Sequence, residues 1–238
     1  MGLKARLRST IKAQRKRGAL WVRLLDLVRL FSSGEGRALL WTRLVHRAEV
    51  HQTTPYTCDE RYPALFDLAA TLAPDAHRIL SFGCSTGEEL IALRRRFPRA
   101  EIIGAEINPR SRRIAVRRVA KDARIVVVHP RSVQGIFDLV FALAVLQREP
   151  HKIVEMEVED LSSYYPYVRF DTAVRQLGGV LATGGLLFVM NAQYRVEDSS
   201  LAWQFEPISS SPLMDKPLFG PEGRLLERAV AHTIFRKR

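Results

Sequence analysis

An α/β fold built on a doubly wound, mostly parallel sheet is predicted by three observations. The first is the stretch 79–108, in which the apolar Ile79-Leu80 leads into a Gly83/Gly87 turn, a helix and a second apolar run that ends in Glu106. That is one strand–helix–strand unit, with room at the glycines for the backbone to turn and approach a ligand. The second is the continued alternation of short apolar runs and helical segments as far as residue 190. The third is a pair of strand-like runs near the C-terminus, Ala202–Ile208 and Arg228–Phe235, joined by a Pro- and Gly-bearing loop. They predict an antiparallel edge hairpin. The result is a Rossmann-like, seven-stranded sheet with an antiparallel C-terminal edge strand. Its domain is expected to span residues 56–238, behind a basic helical extension over residues 1–55.

In chain order, residues 3–17 are helix-permissive, with Leu3, Leu7 and Ile11 spaced by four. Leu20, Leu24, Leu27, Val28 and Phe31 then form a wide apolar stripe, with Arg23, Asp26 and Arg29 on the opposite edge. Ser32–Gly36 breaks the pattern before a third helix at about 37–50. Residues 51–60 read as a loop that could lie over a bound ligand, and Arg61–Leu72 as a helix. The sheet then begins: strand 78–83, helix 87–96 ending before Pro98, and strand 101–106. A helix opened by Asn108-Pro109 follows, since proline suits the first helical turn. It carries Arg110, Arg112, Arg113, Arg117, Arg118 and Lys121, the pattern of a solvated face. Strands 123–128 and 137–143 come next, then an insertion at 144–162 rich in acids. A helix at about 164–178 leads through Gly178-Gly179 and Gly184-Gly185 into a fifth strand, Leu186–Met190.

With 238 residues, 47% hydrophobic and 26% charged, the chain has the composition of a soluble globular domain with appendages. It has no run of about 18 uncharged apolar residues and no signal-peptide pattern, so neither a membrane span nor secretion is expected. Cys58 and Cys84 are its only cysteines, and a disulfide through Cys84 would distort the glycine turn; a reducing cytoplasm suits them. Without Cys-x-x-Cys or a His/Cys cluster at zinc spacing, no metal is expected. The net charge of +12 is concentrated. Residues 1–50 hold 12 Lys/Arg against Asp26, Glu35 and Glu49, which leaves only +3 for the other 188 residues. Such an arm suits a helical cap over the site, peripheral contact with an anionic membrane, or contact with nucleic acid or an acidic protein. A transit peptide also fits its Arg-rich start, whereas myristoylation does not, because position 6 is Arg.

The glycine turn carries the chemistry. Ser85 and Thr86 can cap the helix that follows, and its first-turn N–H groups point outward. Glu106, 19 residues beyond Gly87, can accept hydrogen bonds from two ribose hydroxyls. A dinucleotide loop would continue Gly-x-Gly-x-x-Gly, but here the register is Gly83-x-Ser85-x-Gly87, followed by Glu88 and Glu89. Glutamates would repel a pyrophosphate, whereas beside an ammonium or sulfonium they supply charge-assisted hydrogen bonds. The residues therefore favour S-adenosylmethionine (SAM) over NAD. Ile107 and Asn108 would flank the adenine or ribose. His129, after the third strand, fits the adenine edge and a solvent-facing histidine equally well.

The segment Gly83-Cys84-Ser85-Thr86-Gly87-Glu88-Glu89 resembles the Cys-Ser-Thr-Gly-Glu-Glu loop of CheR-type chemotaxis methyltransferases. Residues 60–195 more widely resemble class I SAM-dependent methyltransferases. Phe137-Asp-Leu-Val-Phe141 is similar to that family's fourth strand, and the Gly-Gly junction to its approach to the fifth. The resemblance implies a SAM-dependent methyltransferase and adds Leu143 and Ala144 as backbone neighbours of the methionine moiety. These two stand where chemotaxis enzymes carry Arg-Asn, and Met190–Tyr194 lacks the family's usual polar ending. The Asn/Asp-Pro-Pro-Tyr/Phe motif of amino-directed nucleic-acid methyltransferases is absent after the fourth strand, so oxygen or carboxylate is favoured over a nucleobase. The acceptor itself, a small molecule or a protein, is not specified. Asn191, Tyr194 and His151 are the candidate bases, with Tyr164, Tyr165 and Tyr167 in the same segments. A cofactor-fold protein without turnover, acting as a scaffold through its basic arm, also fits, as does a NAD-dependent dehydrogenase less well.

Overall fold

A computed structural model describes residues 34–46, 49–52, 57–209, 217–227 and 230–238. The expected helices at 3–17 and 19–31 lie outside these residues. Seven strands form one sheet in the order β3-β2-β1-β4-β5-β7-β6. β1 (Arg78–Phe82), β2 (Glu101–Ala105), β3 (Ile125–Val128), β4 (Phe137–Leu143) and β5 (Leu181–Met190) are parallel neighbours. β6 (Phe205–Ser209) and β7 (Ile234–Lys237) make the antiparallel hairpin, β7 pairing with β5 on its inner side and with β6 on its outer side. The chain order thus reverses between β1 and β4, and a crevice opens at the C-terminal ends of those strands, where such sheets bind ligands.

Both faces of the sheet are buried, which is why its strands read as nearly continuous apolar runs. Along β4 the side chains alternate: Phe137, Val140 and Ala142 face one core, while Leu139, Phe141 and Leu143 face the other. The second core is closed by α2 (Pro63–Leu72), α3 (Glu88–Arg96) and α4 (Pro109–Val119) through Phe66, Leu90, Leu93 and Val119. Phe141 stacks on Phe188 there, with ring centroids 4.5 Å apart. The first core is covered by α6 (Tyr167–Val180) through Phe170, Ala173, Val174 and Leu177. A shorter helix, α5 (Pro150–Glu155), interrupts the acidic insertion, and α1 (Gly34–Val45) packs on α4. No helix among the described residues is long and apolar enough to cross a membrane.

Several boundaries differ from the sequence reading. α6 begins after Pro166 rather than near 164 and runs through Gly178-Gly179, with β5 starting at Leu181 instead of Leu186. Tertiary contacts override the weak helix propensity of glycine. The ammonium of Lys237 donates to the carbonyls of Gly178 and Leu181 at 2.6 and 2.8 Å, capping the C-terminus of α6 from the neighbouring β7. β3 begins at Ile125 because Asp122 holds the preceding turn, accepting from the Arg124 backbone N–H at 2.9 Å and from Arg94 at 2.6 Å.

Candidate functional site

The tip of β1 opens into a loop whose backbone has little freedom. Gly83 and Gly87 both lie in the left-handed region, at φ 82° and 93°. A Cβ on Gly83 would meet Val145 Cγ2 at 2.6 Å, and one on Gly87 would meet Ala115 Cα at 3.1 Å. Position 83 is therefore glycine for turn and space together, and position 87 lets α3 lie close to α4. Between them, Ser85 adopts φ 50°, uncommon for a residue with a side chain. The loop is tied to β2: the N–H groups of Gly83 and Cys84 donate to the Ala105 carbonyl at 2.8 and 3.2 Å.

Glu106 completes this tie. One carboxylate oxygen accepts from the Ser85 N–H at 2.9 Å, the other from the Asn108 N–H at 2.6 Å. Each oxygen keeps a further lone pair for a ligand. Burial raises its pKa, opposed by the backbone donors of Asn108 and Ser85 and by the charge of Arg112. Asn108 caps α4 by accepting from the N–H groups of Arg110 and Ser111 at 2.9 and 3.3 Å. The Ser85 hydroxyl is buried and has no hydrogen-bond partner among the described residues. A buried polar group left so is costly, and a ligand hydroxyl or carboxylate in front of it would relieve the cost.

These groups line a cavity of about 750 Å³, within the usual range for a ligand pocket. Of the residues singled out from the sequence, Gly83, Cys84, Ser85, Glu89, Glu106, Ile107, Asn108, Leu143 and Ala144 line it. Thr86, Gly87, Glu88 and His129 lie outside its lining. Glu88 turns away, accepting from the Thr86 hydroxyl at 2.7 Å and pairing with Arg118 at 2.7 Å. His129 caps a 3-10 turn, its Nδ1 accepting from the Arg131 N–H at 3.2 Å, and packs on the His46 ring. Glu89 accepts from the Ser81 hydroxyl at 2.7 Å, and burial pushes its carboxyl up to about 7, against the pull of Ser81 and Arg61. Burial, with the charges of Glu106 and Glu89, also raises Cys84 and keeps it a thiol. Ala144 holds φ 55° at the tip of β4, so two non-glycine residues in strained conformations, Ser85 and Ala144, face the same space.

The candidate bases are elsewhere. His151 is exposed on α5, and Tyr194 is buried with its hydroxyl donating to the Tyr165 carbonyl at 2.6 Å. Asn191 donates to the Tyr62 hydroxyl at 2.8 Å. Tyr62 and Arg61 do line the cavity, on a segment clamped to α3 where Arg95 and Arg96 hold Glu60 at 2.7 and 2.6 Å. His51 and Arg169 line it as well, and nothing in the sequence singled them out. His51 was legible only as part of a loop expected near the ligand. Its buried ring meets Tyr165, with Nδ1 2.5 Å from the hydroxyl. Burial, reinforced by Arg169 and Arg148, holds His51 down to about 3, and it is neutral at physiological pH.

The methyltransferase-domain family model matches residues 51–216. Among solved structures, the chain is similar to the SAM-bound amino pentose methyltransferase CalS10 of Micromonospora echinaspora. That match has 22% identity and a TM-score of 0.41, over 64% of this chain and 56% of that one. The plantazolicin methyltransferase BpumL, in complex with SAH, matches at 14% identity and a TM-score of 0.40, over 74% and 60%. The sugar N-methyltransferase KedS8 of Streptoalloteichus sp ATCC 53650 matches at 22% and 0.38, over 56% and 47%. The chain thus spans about half to three fifths of the length of these structures. None of the curated proteins matches the chain. The sheet order and the loop joined to Glu106 agree with the family match: from residue 51 to residue 216, the chain belongs to the methyltransferase-domain family.

Proposed function

We propose that the protein binds SAM at the Gly83–Glu89 loop and transfers its methyl group to an acceptor oxygen or carboxylate. The observation that carries this reading is Glu106, a buried carboxylate facing the cavity and already bracing the loop through Ser85. Its remaining lone pairs suit a pair of ribose hydroxyls, and the unpartnered Ser85 hydroxyl suits a polar group of the same ligand. Glu89, steadied by Ser81, offers a carboxylate to an ammonium. The loop's likeness to chemotaxis methyltransferases supports the same assignment, although Leu143 and Ala144 present no polar side chains to the ligand.

When bound, SAM supplies an activated methyl group with a good leaving group, so the protein's share of the work is alignment and exclusion of water. Leu143, Ala144 and Phe82 line the cavity where strands β4 and β1 end, and Tyr62, held by Asn191, lines it as well. Oxygen or carboxylate is favoured as acceptor because the residues after β4 are Ala144-Val145-Leu146, with no Asn/Asp-Pro-Pro motif to receive a nucleobase amine. The test is calorimetry with SAM and S-adenosylhomocysteine on the intact protein and on Glu106→Ala. Binding by the intact protein, weakened at least about tenfold in a folded variant, is expected from loss of charge-assisted hydrogen bonds. An intact protein that binds neither compound rules the reading out.

A further inference from the structure

The cavity continues past the strand tips. Beyond Phe82 its lining passes onto the face of the sheet under α6, where Leu80, Ala105 and Val133 meet Leu177 and Val180. Besides the exposed Val168, the α6 residues that line it are Arg169, Thr172, Ala173, Gln176, Leu177 and Val180. Their spacing of three and four places them on one side of the helix. That side is graded, with a cation in the first turn, two polar groups along the middle and aliphatic side chains at the end.

At the charged end the surroundings are aromatic, with a second guanidinium, Arg148, donating to the Val50 and His51 carbonyls at 3.5 and 3.2 Å. The His51 ring stands edge-on to Phe82 and Tyr165, at centroid distances of 6.3 and 5.7 Å. Arg169 donates to the Val50 carbonyl at 3.3 Å and lies 5.9 Å from the centre of the Tyr165 ring. Among the described residues no carboxylate forms an ion pair with it. Of the acids that line the same cavity, Glu49 pairs with Arg131, Glu60 pairs with Arg95 and Arg96, Glu106 accepts from Ser85 and Asn108, and Glu89 accepts from Ser81. A guanidinium has five donors in a planar fork that matches a carboxylate. With no carboxylate paired to it among the described residues, it gives up hydration for little return. His51, held neutral, adds a hydrogen-bonding group without adding charge.

Resting on the reading above, we propose that this lobe is the acceptor pocket and that it takes a monocarboxylate with an apolar body, the carboxylate at Arg169 and the body along Leu177 and Val180. The anion completes the guanidinium fork, and the body covers the apolar wall between α6 and β1. An acceptor lacking the charge leaves Arg169 unpaired and is discriminated against on that account.

The probe pair is dodecanoate and dodecanol, each titrated below its aggregation limit into the intact protein, Arg169→Gln and Arg169→Lys, with S-adenosylhomocysteine titrated in parallel. The intact protein should bind dodecanoate at a single site, about 10–100-fold tighter than dodecanol, the range of a charge-assisted hydrogen bond. Arg169→Gln should erase that preference and Arg169→Lys keep part of it, with nucleoside affinity unchanged in both. Equal affinity for the two probes, no binding of either, or a preference that survives in folded Arg169→Gln overturns the proposal. If dodecanoate is preferred but S-adenosylhomocysteine fails to bind, the pocket stands as a carboxylate site and only the methyl-transfer reading falls.

Discussion

Glu89 is the residue whose chemistry changes most with its surroundings. Its carboxyl sits against the cavity wall with the Ser81 hydroxyl as donor, and burial raises its pKa from 4.5 to about 7. The folded state therefore still holds part of a proton at neutral pH that the unfolded chain has released. A raised carboxyl pKa contributes stability that is fully present below pH 4.5 and is lost as pH rises through about 7. The loss amounts to ~3 kcal/mol. Glu89→Gln, which can still accept from Ser81, should remove this loss. The melting temperature of the variant relative to wild type should climb between pH 5 and pH 8, and a gap that stays constant over that range would refute the assignment. The same scale shows what the sequence could reveal of the site. Gly83, Gly87 and Glu106 stand out because a turn and a strand tip are local, and their roles follow from spacing. His51 and Arg169 do not, because His51 meets its partner Tyr165 across 114 residues, and no periodicity marks such a contact.

Among the elements, the parallel strands were legible because both faces of each are buried and the apolar runs are nearly unbroken, as along β4 from Phe137 to Leu143. The junction between α6 and β5 was not. Gly178-Gly179 reads as a break by propensity, and only the arrival of Lys237 from the far end of the chain makes helix there. The cap closes two carbonyls at the negative end of the helix, an arrangement that favours a cation. Lys237→Met keeps the length and apolar stem of the side chain but removes both hydrogen bonds. The expected cost is about 1–2 kcal/mol, read as a fall in melting temperature of about 2–8 °C for a chain of this size. Affinity for S-adenosylhomocysteine should not change, since Lys237 lies outside the cavity lining. An unchanged melting temperature would show that the cap adds nothing to the junction.

On the scale of the whole molecule, the charge is divided in a way that bears on partners. Within the extension expected over residues 1–55, α1 rests on α4, and Val50, His51 and Gln52 line the cavity. The outer face of α4 is itself basic, with Arg113 and Arg117, and Lys121 just beyond its end, exposed and paired with no carboxylate among the described residues. The sequence carries a further +9 over residues 1–50, on a chain of net charge +12. Each Lys or Arg near an anionic bilayer is worth about 1 kcal/mol, and the attraction fades as the screening length shrinks from ~10 Å at 0.1 M salt to ~3 Å at 1 M. The full chain should therefore float with vesicles containing phosphatidylserine at low salt, and not with neutral phosphatidylcholine vesicles. Raising the salt to about 1 M should release it. Arg113→Glu combined with Arg117→Glu should weaken flotation several-fold without altering S-adenosylhomocysteine binding, because neither side chain lines the cavity. Binding that survives high salt would instead mean that the apolar stripe from Leu20 to Phe31 enters the bilayer. Absence of flotation at low salt would mean that the basic surface serves a partner other than a membrane.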